Sequence, residues 1–158
     1  MNIEPRKLRA DSSAETLDDG QIQDILGYQL ARATLVTTAS YTRNVGEVFE
    51  LRPVEFTIMA LVTGTPGVSA RVIANALSVT PANVSMWLDR LEKRGFVERE
   101  RNEADRRAQH IRPTAEGGAL ARRAIEQART GENDALSVLS TAERAMLIEL
   151  LRKVASGR

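Results

Sequence analysis

The chain has 158 residues, 42% of them apolar and 27% charged, which suits one domain or one assembly of two small parts and argues against overall disorder. Cysteine is absent, so disulfide frameworks, thiolate metal sites and thiol redox sensing are excluded, and no run approaches the roughly 18 apolar residues of a membrane helix. The net charge of +1 does not announce a nucleic-acid partner, and the N-terminus lacks the basic, apolar and small-residue order of a signal peptide, so the expected setting is the cytoplasm, away from the membrane.

Residues 1–20 are polar and aperiodic, and Asp11, Ser12, Ser13, Asp18, Asp19 and Gly20 suggest a flexible arm. Its Arg6, Lys7 and Arg9 are offset by five carboxylates, which argues against DNA contact there. Residues 21–43 are expected to be helical, because Ile22, Ile25, Leu26, Leu30, Ala33, Val36 and Ser40 recur at spacings of three and four. That stripe serves either as a core helix or as a seam between subunits. Pro53 suits the first position of a second helix with Val54, Phe56, Ile58, Met59, Leu61 and Val62, ended by Gly64, Pro66 and Gly67.

Ser69 caps a short helix reaching Leu77, with Val72, Ile73, Ala76 and Leu77 turned inward. Ser78 and Val79 make a tight connection. Thr80 caps the next helix, Pro81 fills its first turn, and Gly95 stops it. Two short helices joined this way are a helix-turn-helix. A strand over 96–101, a turn over 102–105 and a return strand over 108–112 closed by Pro113 add a β-hairpin, which makes the unit a winged helix. Thr114 caps a further helix carrying Leu120, Ala121, Ala124, Ile125 and Ala128, which Gly131 either ends or weakens. Ser140 and Glu143 form a capping box for a last helix with Leu147, Leu150, Leu151 and Val154 on one face. The expected fold class is mainly α with a small β-hairpin wing. The expected organisation is an arm at 1–20, a dimerisation helix and connection at 21–50, a winged helix-turn-helix DNA-binding domain at 51–113, and C-terminal dimerisation helices at 114–158.

The segment from Thr80 to Arg94 carries the functional argument. At about 100° per residue, Val84, Trp87, Leu88 and Leu91 share one side and dock on the preceding helices. The N-terminal residues of the opposite side meet base edges in a helix-turn-helix, so Pro81, Ala82, Asn83, Ser85 and Met86 sit deepest. Asn83 can pair with adenine N6/N7, Ser85 with a base or phosphate, and Ala82 or Met86 with a thymine methyl. Arg90 and Lys93, one turn on, reach phosphate, and Ser69 joins the candidate DNA contacts. Asp89 tilts out of the groove. A solvated face whose small polar residues serve only for capping is equally compatible with the helix taken alone.

The wing shifts that balance. Residues 81–113 hold eight lysines and arginines against six carboxylates, and Arg99, Arg101, Arg106 and Arg107 cluster. Such a cluster neutralises phosphates or is an ordinary solvated loop. Arg101, Arg106 and Arg107 converge on the hairpin tip, which fits a narrow minor groove, with Asp105 orienting a neighbouring arginine. The single histidine, His110, is expected to be structural. No Walker loop, dinucleotide fingerprint or paired-histidine motif occurs, and no metal, cofactor or catalytic residue is expected. An enzyme would need a nucleophile with a base, a metal cluster or paired carboxylates, and no spacing singles any out. A winged helix used only for protein contacts would have no use for Arg106 and Arg107.

Residues 52–117 resemble the MarR family of bacterial transcriptional regulators. The likeness runs through Pro53-Val54-Glu55-Phe56, the helix 69–77, the run Val84-Ser85-Met86-Trp87-Leu88-Asp89-Arg90-Leu91-Glu92-Lys93-Arg94-Gly95-Phe96-Val97-Glu98-Arg99, then Asp105-Arg106-Arg107-Ala108 and Thr114-Ala115-Glu116-Gly117. The resemblance implies a homodimer with interlocked first and last helices, the recognition helix in the major groove and the wing in the minor groove of double-stranded DNA. Arg107 matches the family's minor-groove arginine, held by Asp105. Family members often repress nearby genes and release DNA when a small ligand, commonly an aromatic acid or phenol, binds between the two subdomains. The departures are Pro113 where leucine is usual, Met86 where a basic or polar residue is frequent, and Arg52 at a capping position usually held by Ser or Thr. For such an effector, Tyr28 and Arg32 lie four apart on one helix side and Phe49 follows in the connection. An arginine beside aromatic rings suits an aromatic carboxylate, while a structural ion pair of Arg32 across the dimer fits equally.

Overall fold

The computed structural model describes residues 20–101 and 109–157. The chain divides into two compact units, Met1–Ala33 and Thr34–Arg158. The first helix, α1 (Leu26–Tyr41), crosses the division.

In the first unit the helix starts later than the apolar spacing suggests. Residues 20–24 form a turn, the Ile25 N–H donates to the Ile22 carbonyl (3.1 Å), and Gln29 Nε2 takes the Gln23 carbonyl (2.6 Å). Carbonyls that would have propagated an α-helix backwards are therefore used in a tighter turn. Ile22, Ile25 and Leu26 are exposed.

The second unit holds the end of α1, then a π-helical stretch Thr42–Gly46 and a short α2 (Glu47–Phe49). The expected stop at residue 43 is thus replaced by a wider turn. The Asn44 side chain donates to the Ser40 carbonyl (2.9 Å), a group that an α-turn would give to the Asn44 backbone N–H. Glu50, in the left-handed region at φ 53°, ends α2. Helix α3 (Pro53–Gly64) begins at Arg52, whose backbone N–H donates to Glu55 Oε2 (3.0 Å). Arginine has no side-chain acceptor, so only this half of a capping box operates.

Next come β1 (Val68–Ser69), α4 (Ala70–Leu77), α5 (Pro81–Lys93), β2 (Val97–Arg101) and β3 (Gln109–Pro113). The wing is a three-stranded antiparallel sheet in the order β1-β3-β2, rather than a lone hairpin, with Val68 opposite Ile111 and Arg99 opposite Ile111 on the other edge. A two-residue strand carries no readable period. Gly67, at φ 90°, turns the chain into it, and the Gly67 N–H donates to the Ile111 carbonyl (2.8 Å). His110 Nδ1 lies 2.6 Å from the Gly67 carbonyl, a structural contact at the same turn.

The core is built from Ile58, Met59 and Val62 of α3, Ile73 of α4, Val84, Leu88 and Leu91 of α5, and Val97 and Ile111 of the sheet. In α4 the expected phase is corrected. Ile73 and Ala74 are buried, while Val72 is 55% exposed and Ala76 also faces out. An eight-residue helix spans barely two turns, so two apolar phases fit its sequence and packing against α5 selects one.

Helix α6 (Ala115–Ala135) is capped by Thr114 and runs through Gly131, which is buried; a Cβ there would collide with the side chain of Asn44. Helix α7 (Thr141–Ser156) opens with the expected capping box. The Glu143 N–H donates to Ser140 Oγ (3.3 Å), and Ser140 donates to Glu143 Oε2 through its hydroxyl (2.7 Å) and its backbone N–H (2.8 Å); these last two bonds hold the Glu143 carboxyl below its usual range. Arg144 reaches back to Glu132 (3.4 Å) and Asn133. The expected apolar face of α7, Leu147, Leu150, Leu151 and Val154, is exposed along its length. Among the described residues no helix is long and apolar enough to cross a membrane.

Candidate nucleic-acid interface

Helix α5 is punctuated as its sequence demands. Thr80 is extended (ψ 148°) and its Oγ1 accepts from the Asn83 N–H (3.3 Å), Pro81 follows, and Gly95 at φ 74° releases the chain. Val84, Leu88 and Leu91 are fully buried and Trp87 is half-buried against the same core. Burying these four leaves the other side no choice of phase. Pro81, Ala82, Asn83, Ser85 and Met86 are all exposed at the N-terminal half, with Met86 at 44%. Lys93 is exposed and Arg90 half-exposed one to two turns later.

At the far end of α5, Arg90, Lys93 and Arg94 share a shallow cleft of about 360 Å³ with Arg52, Glu50 and Glu55. Arg94 is anchored there. Its Nη1 donates to the Glu50 carbonyl (2.8 Å), its Nη2 to the Phe49 carbonyl (3.2 Å), and its guanidinium lies 4.7 Å from the Phe96 ring centre. Ser69 does double duty locally, pairing opposite His110 and accepting the Val72 N–H at 3.4 Å.

The arginines of the wing divide. Arg99 turns back onto α5, its Nη2 2.5 Å from Asp89 Oδ1 and 3.3 Å from the Ser85 carbonyl, and its Nε 3.6 Å from Glu92 Oε2. Arg99, counted in the cluster that either neutralises phosphates or is an ordinary solvated loop, is thus paired within the chain. Arg112 likewise pairs with Glu100 (2.7 Å). Arg101 ends β2 opposite Gln109. Asp105, Arg106 and Arg107 lie outside the described residues.

The wing root is fixed to α6 by the Thr114–Gly117 step. Thr114 Oγ1 donates to the Gly95 carbonyl (2.7 Å) and accepts the Gly117 N–H (3.0 Å), while the Thr114 N–H donates to the Phe96 carbonyl (3.1 Å). Sequence reading located this motif but missed why glycine is needed: a Cβ on Gly117 would lie 2.6 Å from the Phe96 carbonyl carbon and 2.8 Å from its Cα.

The expected effector residues fall in both units. In the first unit the Arg32 guanidinium lies 5.7 Å from the Tyr28 ring centre. In the second, Phe49 carries Arg123 at 5.7 Å instead. A cleft of about 660 Å³, which sequence reading did not anticipate, lies between α1 and the end of α6, lined by Leu35, Val36, Ala39, Arg43 and Asp134 among others.

A helix-turn-helix with a small sheet beside it and an exposed, polar-to-basic recognition helix defines a winged-helix protein of the DNA-binding kind. The MarR family model matches residues 51–108, and the transcriptional regulator HosA of Escherichia coli O157:H7 is 30% identical over 108 residues, 68% of this chain and 80% of HosA. The chain belongs to the MarR family of transcriptional regulators. Two solved structures are similar. The transcriptional repressor CouR, bound to a 23-mer DNA duplex, superposes with a TM-score of 0.81 at 32% identity, covering 89% of this chain and 99% of that one. The MarR family protein Rv2887 of Mycobacterium tuberculosis, in complex with p-aminosalicylic acid, gives 0.66 at 28% identity over 82% and 98% of the two chains.

Proposed function

We propose that the chain is a homodimeric repressor that binds a palindromic operator and releases it when a small aromatic acid binds. The carrying observation is the exposed row Asn83, Ser85 and Met86, held outward by the burial of Val84, Leu88 and Leu91. In this reading residues 51–113 form the DNA-binding domain. Pro81, Ala82, Asn83, Ser85 and Met86 enter the major groove. Ser69, Arg90 and Lys93 lie along phosphates. Arg101, Arg106 and Arg107 enter the minor groove, with Asp105 orienting Arg107. The CouR complex with duplex DNA supports the placement, because its fold and length match this chain almost throughout.

Dimerisation uses residues 21–50 and 114–158. The support is apolar surface that one copy leaves uncovered: Leu35 at 72% and Val36 on α1, and Leu147, Leu150, Leu151 and Val154 on α7. A symmetric pairing of these helices is isologous, and its two-fold sets half-sites about 10 bp apart.

For the effector, Arg32 offers a bidentate cation with the Tyr28 ring beside it, and the Rv2887 complex shows a related chain holding an aromatic acid. Release requires that the ligand favour a conformation unable to span both half-sites. The test is titration with benzoates and hydroxycinnamates, read as operator release and thermal stabilisation. Arg32→Ala should abolish the response with DNA affinity nearly intact, and a wild-type response from that variant would reject Arg32 as the anchor.

A further inference from the structure

The outward side of α5 carries two carboxylates, Asp89 and Glu92, among residues that face DNA in the proposed reading. Both would repel phosphate. Neither is solitary: Arg99, from the second strand of the sheet, reaches across to both and to the carbonyl of Ser85. The geometry is that of a clamp. The Arg99 side chain is only 21% exposed, whereas Asp89 is 53% exposed, so the cation sits beneath the carboxylates rather than in front of them. Arg99 meets three successive turns of α5, its Nη2 hydrogen-bonding at Ser85 and Asp89 and its Nε in a longer ion pair with Glu92, and so ties them to a strand that continues into the wing. A planar guanidinium suits this and an ammonium does not, since only the former has donors in several fixed directions.

We infer that Arg99 is a positioning residue for DNA binding: it offsets one of the two negative charges of Asp89 and Glu92 from below, holds both carboxylates back on the protein, and fixes the recognition helix to the wing. This rests on the reading of α5 as the DNA-facing helix. Arg99 itself touches no DNA. Its charge is spent inside the protein, and the phosphate-facing charge is left to Arg90, Lys93 and the wing arginines. The consequence is a coupling. With Arg99 in place, one of the two negative charges is offset and both carboxylates are drawn back onto the protein surface. Without it, they become two unscreened negative charges beside the phosphate track, and their effect grows at low salt.

The experiment measures binding of the full-length chain to a random-sequence duplex between about 50 and 200 mM salt, where phosphate contacts are read as a slope. The proteins are wild type, Arg99→Gln, Asp89→Asn/Glu92→Gln, the triple variant and Arg99→Lys, each with a melting curve. The expected result is that Arg99→Gln weakens binding roughly tenfold at the low-salt end, more than the loss of one remote charge, and flattens the slope. The two carboxamides restore most of that loss in the Arg99→Gln background but change binding less than about threefold when Arg99 is present, a non-additivity that marks direct interaction. Arg99→Lys, which keeps the charge and loses the fork, falls in between. Equal factors for the carboxamide pair in both backgrounds, with wild type binding normally, overturn the inference alone. So does an Arg99→Gln loss that the carboxamides leave untouched, because the residue would then act only through stability. Should Arg99→Gln fail to fold, tenfold tighter binding by Asp89→Asn/Glu92→Gln with Arg99 intact overturns the screening, and a change below threefold supports it. Absence of salt-dependent binding by wild type overturns the reading of α5 itself, and the inference with it.

Discussion

Gly117 and Gly118 are adjacent, both buried in the first turn of α6, yet a methyl group should have opposite effects at the two. At Gly117 a Cβ would run into the backbone of Phe96, with the carbonyl oxygen, the carbonyl carbon (2.6 Å) and Cα (2.8 Å) all in its way. That carbonyl also accepts the Thr114 N–H, and Phe96 lies under the Arg94 guanidinium, so the segment is tied on both sides. Overpacking of this kind costs about 1–3 kcal/mol, and the upper end applies here because backbone rather than a side-chain end must move. At Gly118 the nearest atom is the tip of Arg122 at 3.4 Å, which swings away, and alanine gains about 1 kcal/mol of helix propensity over glycine. Thermal unfolding at equal protein concentration measures both, since a dimer's melting point depends on concentration. At roughly 2–4 °C per kcal/mol for a chain of this size, Gly117→Ala should melt about 6–12 °C below wild type and Gly118→Ala at or slightly above it. A Gly117→Ala protein that melts with wild type would refute the close-approach argument.

Tyr41 donates its hydroxyl to the Leu51 carbonyl (2.8 Å), and burial, helped by the charge of Glu55, pushes its pKa from 10.0 up to about 12. The folded state thus holds this proton more tightly than the unfolded state, so the contribution is complete below pH 10 and is lost as pH rises towards 12. Tyr41→Phe should remove that part of the alkaline slope in denaturant titrations; an unchanged slope would show that Tyr41 is not its source. Leu147→Glu/Leu151→Glu should convert a dimer into a folded monomer by sedimentation, because both residues are exposed in one chain; a persisting dimer would place the interface elsewhere. Arg107→Ala should weaken operator binding by about 1–3 kcal/mol with the fold intact, as for one good DNA contact. Unchanged affinity at moderate salt would reject minor-groove insertion. Asn83→Ala or Met86→Ala should relax preference at particular base pairs while Lys93→Ala weakens all sequences alike, which a competition assay across single-base operator variants separates.

Local chemistry made most of the fold legible. Thr80, Pro81 and Gly95 bracket α5, Ser140 and Glu143 open α7, and the spacing of Val84, Leu88 and Leu91 fixes which side is buried and which is exposed. These signals act within a few residues. What escaped depends on groups distant in the chain. Strand β1 exists because Val68 and Ser69 find Ile111 and His110, more than forty residues on. Gly131 is compatible with a continuous α6 because Asn44 fills the space beside it. The inward phase of α4 follows from its neighbours, since Val72 and Ile73 are chemically equivalent in the sequence. In the site the same division holds. The row on α5 was readable from period alone, whereas charge counting could not tell Arg99, folded back on Asp89, from the arginines further along the wing.

The exposed side of α5 is proposed to read DNA sequence. The most direct measurement is selection of bound molecules from a pool of random duplexes by the full-length chain, sequenced before and after, with the Asn83→Ala/Met86→Ala variant in parallel. The expected result is enrichment of an imperfect palindrome with half-sites about 10 bp apart, and loss of preference in the variant at the same position of each half-site. An unenriched pool, or a palindrome that the variant selects unchanged, would contradict it.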